Sequence, residues 1–164
     1  MDEGDLKHLR RAVALAREAL DAGDEPFGSV LVSGDNVVLG QDRNRVADGD
    51  NTRHPELALA QWAGANMSAS ERARATVYTS GEHCPMCAAA HGWAGLGRIV
   101  YASSSEQLSG WLVEFGAPPP PVRPLPVQEI APLVSVQGPV PELAQEVKEL
   151  HRKLWSRSGS LTED

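Results

Sequence analysis

The sequence has few cysteines, few aromatic residues and little positive charge. It contains two cysteines and 5% aromatic residues among 164 residues, and its formal net charge is −7. Two cysteines cannot build a disulfide framework, and their Cys-x-x-Cys spacing suits a reducing compartment, so we expect a cytoplasmic protein. The acidic balance disfavours a polyanionic ligand, because neutralised phosphates supply most of the affinity for nucleic acid. We therefore expect no nucleic-acid partner.

The sequence also lacks a long apolar run, an internal repeat and a basic leader. No stretch reaches transmembrane length, and the acidic start Asp2-Glu3 is opposite in charge to a secretory leader. We therefore expect no membrane contact. The hydrophobic fraction is 41% and the charged fraction 23%, both ordinary for a globular protein. The length predicts a single domain over residues 1–164 with its own core.

Two short stretches carry the chemistry: His54-Pro55-Glu56 and Cys84-Pro85-Met86-Cys87. The imidazole and the two thiols are suitable ligands for one zinc ion. A closed structural zinc site normally has four protein ligands, whereas a catalytic site keeps one position open. No third cysteine is present to complete a closed site, so the sequence favours an open, catalytic one. Glu56 is then a carboxylate beside the metal that is not needed to hold it.

A proline follows the first ligand of each stretch. Proline is favoured at the first position of a helix, where its missing N–H group costs nothing. His54 and Cys84 are therefore predicted at two helix N-termini, with Glu56 and Cys87 in the first turns. The positive ends of the two helix dipoles favour thiolates at this place.

Hydrophobic periodicity predicts an alternation of helices and strands. The predicted helices cover residues 6–22, 55–66, 85–95, 105–115 and 141–155, and the predicted strands cover residues 29–32, 37–40, 75–79, 98–102 and 132–136. The core is expected over about residues 6–115. A proline-rich connection over 117–126 precedes a C-terminal strand and helix within 132–156, and residues 156–164 are expected to form a frayed tail. This order predicts an α/β fold, a three-layer α/β/α sandwich around a five-stranded mixed sheet.

The two stretches resemble the zinc-dependent cytidine deaminase-like superfamily. Its signature is H-x-E followed by P-C-x-x-C, and the chain departs from it in having His83 where the proline stands. The resemblance looks closest to the bacterial nucleobase and nucleoside deaminases, the branch of guanine, cytosine and tRNA adenosine deaminases. It implies a zinc-dependent aminohydrolase that releases ammonia from a free nucleobase or a similar amino-heterocycle, such as guanine, cytosine or a triazine.

The resemblance also implies roles for individual residues. His54, Cys84 and Cys87 would bind zinc, and Glu56 would transfer protons. The residues expected to contact the substrate are Asn44, Phe27, His83, Glu114 and Trp111. By the same resemblance we expect a homodimer, since in bacterial guanine deaminases a partner's tail can close the pocket.

Several alternatives remain open. The Cys-x-x-Cys pair alone fits a redox motif. The substrate can also be a nucleoside (cytidine or guanosine) or a tRNA adenosine, and a non-catalytic zinc-stabilised module would need no Glu56. Asn44 can cap a turn, and Glu114 can be a solvated carboxylate.

Simpler structural roles are expected for the remaining histidines and two of the tryptophans. The pattern predicts surface positions for His8 and His151 and a packed His91. It predicts core positions for Trp62 and Trp93.

Overall fold

The computed structural model describes residues 1–159. The helices are α1 (Glu3–Asp21), α2 (Pro55–Asn66), α3 (Ala69–Arg74), α4 (Pro85–Ala94), α5 (Ser105–Glu114), α6 (Val127–Ile130) and α7 (Pro141–Gly159). The strands are β1 (Gly28–Val32), β2 (Val38–Arg43), β3 (Thr76–Gly81), β4 (Ile99–Ser103) and β5 (Val136–Gln137). Within residues 1–159, no helix is long and apolar enough to span a bilayer.

The five strands form one mixed sheet in the order β2-β1-β3-β4-β5. β1 is antiparallel to both β2 and β3, whereas β4 is parallel to β3 and β5. The consecutive strands β1 and β2 form a hairpin, with Asn36 at a φ of 62° in its turn. Asparagine tolerates this left-handed conformation better than most residues. The antiparallel register places Ser29 of β1 directly opposite Thr79 of β3.

Helices cover both faces of the sheet. Val30 and Val32 of β1 belong to a core cluster shared with α1 and α7, while Leu31 packs with α2 residues on the opposite face. This alternation follows from the two-residue period of a strand. The predicted three-layer α/β/α sandwich around a mixed sheet is confirmed.

The structure corrects several predicted boundaries. The fifth strand was expected over residues 132–136, but it is only Val136–Gln137, because the preceding chain forms α6 and a turn. The short helix α3 was not predicted, although Ser68 and Glu71 form a capping box that marks its start. Residues 156–159 continue α7 rather than fraying. The remainder of the predicted tail, 160–164, lies outside the described residues.

The predictions for two histidines and two tryptophans were wrong. His8 and His151 are buried, at 7% and 3% exposure, because helices α1 and α7 turn these positions toward the protein interior. Conversely, Trp62 on α2 is 41% exposed and Trp93 on α4 is 92% exposed. Both tryptophans lie on the sides of α2 and α4 that face away from the sheet.

Candidate active site

His54, Cys84 and Cys87 lie together at one end of the sheet. The Nδ1 atom of His54 is 3.5 Å from the Sγ atom of each cysteine, and all three ligand atoms lie within 4.8 Å of one another. His54 and Cys84 are half-buried and Cys87 is buried. Residues 30 positions apart in the sequence therefore form one compact cluster.

Two helix starts position this cluster. His54 is the N-cap of α2 and Cys84 the N-cap of α4, each followed by a proline in the first turn. Neither residue uses its side chain to cap its helix, so the imidazole and the thiol remain available as ligands. Cys87 lies in the first turn of α4, on the side facing His54. The predicted arrangement of two helix N-termini is present.

The donor set fits a zinc ion. With Zn–N and Zn–S bonds of about 2.0 and 2.3 Å, tetrahedral coordination requires an N···S separation of about 3.5 Å. The two observed N···S distances are 3.5 Å. Among residues 1–159, no fourth His, Cys, Asp or Glu joins the group. The cluster therefore suits a metal that keeps one coordination position open.

The three candidate ligands share protons, and Cys84 is the one favoured as an anion. The pKa of Cys84 is lowered to about 4, because its sulfur accepts hydrogen bonds from Cys87 and His54. The same contact with Cys84 raises the pKa of Cys87 and, at His54, raises the imidazole pKa to about 9. A thiolate, the form of cysteine that binds metals, is thus favoured at Cys84.

Glu56 lies next to the cluster and is held by the sheet. Its carboxylate is 6% exposed, and its Oε1 atom is 3.2 Å from both Ser29 Oγ and Thr79 Oγ1. The two hydroxyls are 3.0 Å apart, and Thr79 Oγ1 is also 2.8 Å from the Gly81 carbonyl oxygen. Burial raises the pKa of Glu56, which favours a group that both takes up and releases protons.

Ser29 and Thr79 are site residues that the sequence analysis did not identify. Both occupy fully buried positions in strands whose neighbouring residues are mostly apolar. Hydroxyl groups at such positions need hydrogen-bond partners, and this is a signal the sequence did contain. Their partner, however, is on another element and becomes visible only in the structure.

Asn44 lies on the loop that leads to His54. Its side chain is 1% exposed, its Oδ1 atom accepts a hydrogen bond from the Val46 N–H group, and its backbone N–H group donates to Phe27. Asn44 thus caps a local turn, as one alternative predicted. The structure shows no partner within residues 1–159 for its Nδ2 atom, which keeps a donor available for a bound molecule.

Phe27 is part of an aromatic cluster, which we define as Phe27, Trp111 and His151. The His151 ring lies 5.0 Å from Phe27, edge to face, and 6.2 Å from Trp111. Phe27 also lies against Gly81, where a Cβ atom would come within 3.4 Å of its ring. Helix α7 of the same chain therefore reaches the sheet end that carries the metal cluster.

His83 packs against another ring, although neither of its buried ring nitrogens has a hydrogen-bond partner among the described residues, and Glu114 forms an ion pair elsewhere in the protein. His83 is 1% exposed and packs edge to face against His91, with the ring centroids 5.4 Å apart. Burial lowers the pKa of His83, so its imidazole is neutral. Glu114 forms an ion pair of 3.2 Å with Lys148 of α7, and more than half of its side chain is exposed. Substrate contacts by these two residues stay predictions. The Nε2–H group of His91 donates to the Gly97 carbonyl oxygen at 2.7 Å, as expected of a packed histidine.

The surface has two clefts, and only the smaller one includes a residue of the His54, Cys84 and Cys87 cluster. A groove of about 350 Å³ opens beside His54, between α2 and the preceding loop. A larger cleft of about 610 Å³ lies at the N-terminus of α1 and includes Asp5, Tyr78 and Arg98. These three side chains hydrogen-bond one another, which ties α1 to β3. The larger cleft contains none of the three candidate metal ligands.

Comparison with known proteins agrees with this geometry. Residues 3–130 match the MafB19-like deaminase family. The chain is 34% identical over 120 residues to a probable cytosine deaminase of Schizosaccharomyces pombe, covering 73% of each protein. It is 37% identical over 97 residues to guanine deaminase of Bacillus subtilis, covering 58% of this chain and 62% of that enzyme.

A solved structure supports the same conclusion. The chain matches, with a TM-score of 0.64 and 26% identity, a structure from a study of A-to-I editing by tRNA:A34 deaminases. The match covers 88% of this chain and 99% of the other. The predicted resemblance and the predicted hydrolytic enzyme class are thereby confirmed. The chain belongs to the MafB19-like deaminase family, a family of cytidine deaminase-like fold whose relatives are hydrolytic deaminases.

Proposed function

We propose that this protein is a zinc-dependent deaminase of a free nucleobase or a similar amino-heterocycle. The exocyclic amino group is replaced by a carbonyl oxygen from water, and ammonia is released. The observation that carries this proposal is the position of Glu56, a buried carboxylate held by Ser29 and Thr79 beside an open set of metal ligands. A purely structural metal site has no use for a carboxylate there.

The side chains at the site have distinct proposed roles. His54, Cys84 and Cys87 would hold zinc, which lowers the pKa of a bound water to about 7 and so makes it a nucleophile at neutral pH. Glu56 takes a proton from the attacking water and delivers it to the ring nitrogen, and then to the departing amino group. The Nδ2 group of Asn44 donates to an acceptor on the ring and thereby orients it.

The free base is favoured by the names of two relatives and by the aromatic cluster. A probable cytosine deaminase and a guanine deaminase are among the relatives. Phe27 and Trp111 offer flat apolar surfaces near the sheet end that holds the cluster, which suits a planar heterocycle. We propose guanine, cytosine or a triazine analogue as substrate, with a nucleoside as the alternative. The two free thiols suit a cytoplasmic location.

A tRNA adenosine is the second candidate, because the chain matches a structure from work on tRNA:A34 deaminases. The net charge of −7 opposes it, since RNA binding relies on positive charge. The two candidates predict different salt dependence. Turnover of a free base should change little with ionic strength, whereas tRNA binding should weaken steeply.

We also propose that two copies associate through the outer faces of α2 and α4. Trp93 is 92% exposed on α4, and Trp62 is 41% exposed on α2. Exposed tryptophans are rare on a monomer surface and common in interfaces. The substitution Trp93→Glu should convert a dimer to a monomer in light scattering. A wild-type protein that is already monomeric would contradict this proposal.

The first test is ammonia release by the zinc-loaded protein on guanine, cytosine, 5-azacytosine, guanosine, cytidine and adenosine. Glu56→Gln is the matched control, because it keeps the shape and the metal ligands but removes the proton carrier. Release from a free base that is lost in Glu56→Gln supports the proposal. Release from nucleosides alone, or equal turnover by Glu56→Gln, would overturn it.

A further inference from the structure

The proline-rich connection between α5 and α6 has no role in the proposed reaction. Four consecutive prolines at 118–121 are followed by Val122, Arg123 and Pro124. Every residue over 118–124 is exposed, and the apolar side chain of Val122 is 50% exposed. The segment therefore presents apolar rings and one cation to solvent and buries little of its own surface.

The covalent structure of proline determines the shape of this segment. The proline ring holds φ at about −65°, and a residue that precedes a proline is confined to extended conformations. Residues 118–120 meet both conditions, so they are restricted to the polyproline II conformation, and they form neither helix nor strand in the structure. This conformation has about three residues per turn, so Pro118 and Pro121 lie on the same side of the chain. A bend at Pro121 and Val122 follows the extended run.

The backbone of the segment is almost free of hydrogen bonds. Within the described chain, the only backbone group of residues 118–124 with such a bond is the Arg123 carbonyl oxygen, which accepts from the Leu125 N–H group at 2.8 Å. The carbonyl oxygens of the four consecutive prolines have no donor among the described residues. They remain available as acceptors for a molecule that packs against the proline rings.

Both ends of the segment are attached to the protein. The Ala117 N–H group donates to the Leu112 carbonyl oxygen of α5 at 2.9 Å. Val127, at the start of α6, is fully buried, and its N–H group donates to Oε2 of Glu82 at 2.8 Å. An extended segment that is held at both ends and stiffened by proline loses little conformational entropy on binding.

Arg123 adds a positive charge beside the prolines. No hydrogen bond or ion pair engages its guanidinium group among residues 1–159, although the chain has 22 acidic residues against 15 lysines and arginines. Arg43 and Arg45, in contrast, are paired with aspartates. An unpaired guanidinium next to exposed apolar rings is complementary to an apolar groove that carries a carboxylate at its edge.

We infer that residues 118–123 form a docking site for a partner protein whose groove is lined with aromatic side chains and bordered by a carboxylate. Grooves of this kind, as in SH3 domains, recognise Pro-x-x-Pro segments in the polyproline II conformation. Pro118 and Pro121 supply the two prolines of that pattern, and Arg123 supplies the cation for the carboxylate. The inference goes beyond the proposed function and does not depend on it.

The test uses an isolated SH3 domain that binds Pro-x-x-Pro-x-Arg peptides as the probe. The isotope-labelled domain is titrated with the full-length, zinc-loaded protein, and its amide NMR signals report whether the aromatic groove is occupied. The variants are the double substitution Pro118→Ala/Pro121→Ala and the single substitution Arg123→Glu. Pro132→Ala and Arg10→Glu are the matched controls, because both residues are exposed and lie outside the segment.

We expect the wild-type protein to shift the signals of the groove and each variant in the segment to weaken binding by roughly 10-fold or more. The two controls should bind like the wild type. No shift at millimolar protein, or equal binding by the variants, would overturn the inference. Ammonia release is measured separately on the same proteins, and it should be unaffected by these variants. A failure of the proposed function would therefore leave the binding result unchanged.

Discussion

The Ser29 hydroxyl lies 3.2 Å from Oε1 of Glu56, and this contact links the first strand to the first turn of α2. This hydrogen bond joins the sheet to the helical layer that contains α2, and both layers contribute residues to the candidate site. A hydrogen bond to a carboxylate is stronger than one between neutral groups, and it fixes the orientation of the acid. The scaffold therefore positions Glu56 as well as burying it.

Removal of this hydroxyl should reduce catalysis without loss of metal. We expect Ser29→Ala to lower kcat by roughly 10- to 100-fold, because it removes a hydrogen bond to a charged group that is worth about 1.5–3 kcal/mol. Zinc content, measured by elemental analysis, should equal that of the wild type. Ser33→Ala, at the opposite end of β1, is the control and should keep full kcat. A kcat of Ser29→Ala equal to the wild-type value would contradict the proposal that Ser29 positions Glu56.

Metal removal should destabilise the protein through Cys87. Binding to the folded state alone contributes about 2.7 kcal/mol when free zinc is 100 times its Kd. For a domain of this size, that corresponds to about 5–10 °C in Tm. A chelator should lower the wild-type Tm by this amount and leave the Tm of Cys87→Ala unchanged. A Cys87→Ala protein with full zinc content would show that the ligand set is different.

His151 should make stability depend on pH. Burial lowers its pKa to about 4 from an ordinary value of 6.5, so the unfolded chain binds more protons between these values. The neutral imidazole thus contributes its full stability above pH 6.5, and the contribution declines as the pH falls toward 4. The loss amounts to about 3 kcal/mol at most, the value of the full pKa difference.

The measurement is urea unfolding at pH 7 and pH 4 for the wild type and for His151→Phe. Phenylalanine preserves the packing against Phe27 and Trp111 but cannot be protonated. We expect the wild type to lose up to about 3 kcal/mol more than the variant between the two pH values. Equal losses would mean that His151 is solvated in the folded protein.

Glu82 joins three parts of the chain and should be important for stability. Its Oε1 atom accepts from the Ser105 N–H group at 2.9 Å and its Oε2 atom from the Val127 N–H group at 2.8 Å, at the starts of α5 and α6. Glu82→Gln exchanges one acceptor for a donor, and this leaves an N–H group without an acceptor. The free energy of unfolding should fall by about 1–3 kcal/mol.

The control for this prediction is Glu129→Gln, an exposed substitution on α6 with the same loss of charge. Its free energy of unfolding, from urea titration, should match the wild type within about 0.5 kcal/mol. Equal stability of both variants would show that the two N–H groups find other acceptors.

Local patterns in the sequence were sufficient to predict that His54, Cys84 and Cys87 come together and that the fold has three layers. The proline after His54 and the proline after Cys84 each mark a helix start, and the i, i+3 spacing brings Cys87 to the same helix end. Helical and strand periods are likewise local properties, so most elements were predicted within a few residues. The predicted boundaries were wrong where the chain geometry depends on packing against distant residues, as at the short strand β5.

Only the tertiary structure decided which distant residues meet. The register of β1 against β3 brings Ser29 and Thr79 together beneath Glu56, and it depends on the whole sheet. The packing of α7 buries His151 and pairs Lys148 with Glu114. Trp93, in contrast, is exposed on the outer face of α4. Side-chain periodicity shows that a helix has two faces, but the neighbouring elements determine which face is covered. The candidate ligands and the candidate acid could therefore be predicted from the sequence, whereas their supporting contacts were decided by the fold.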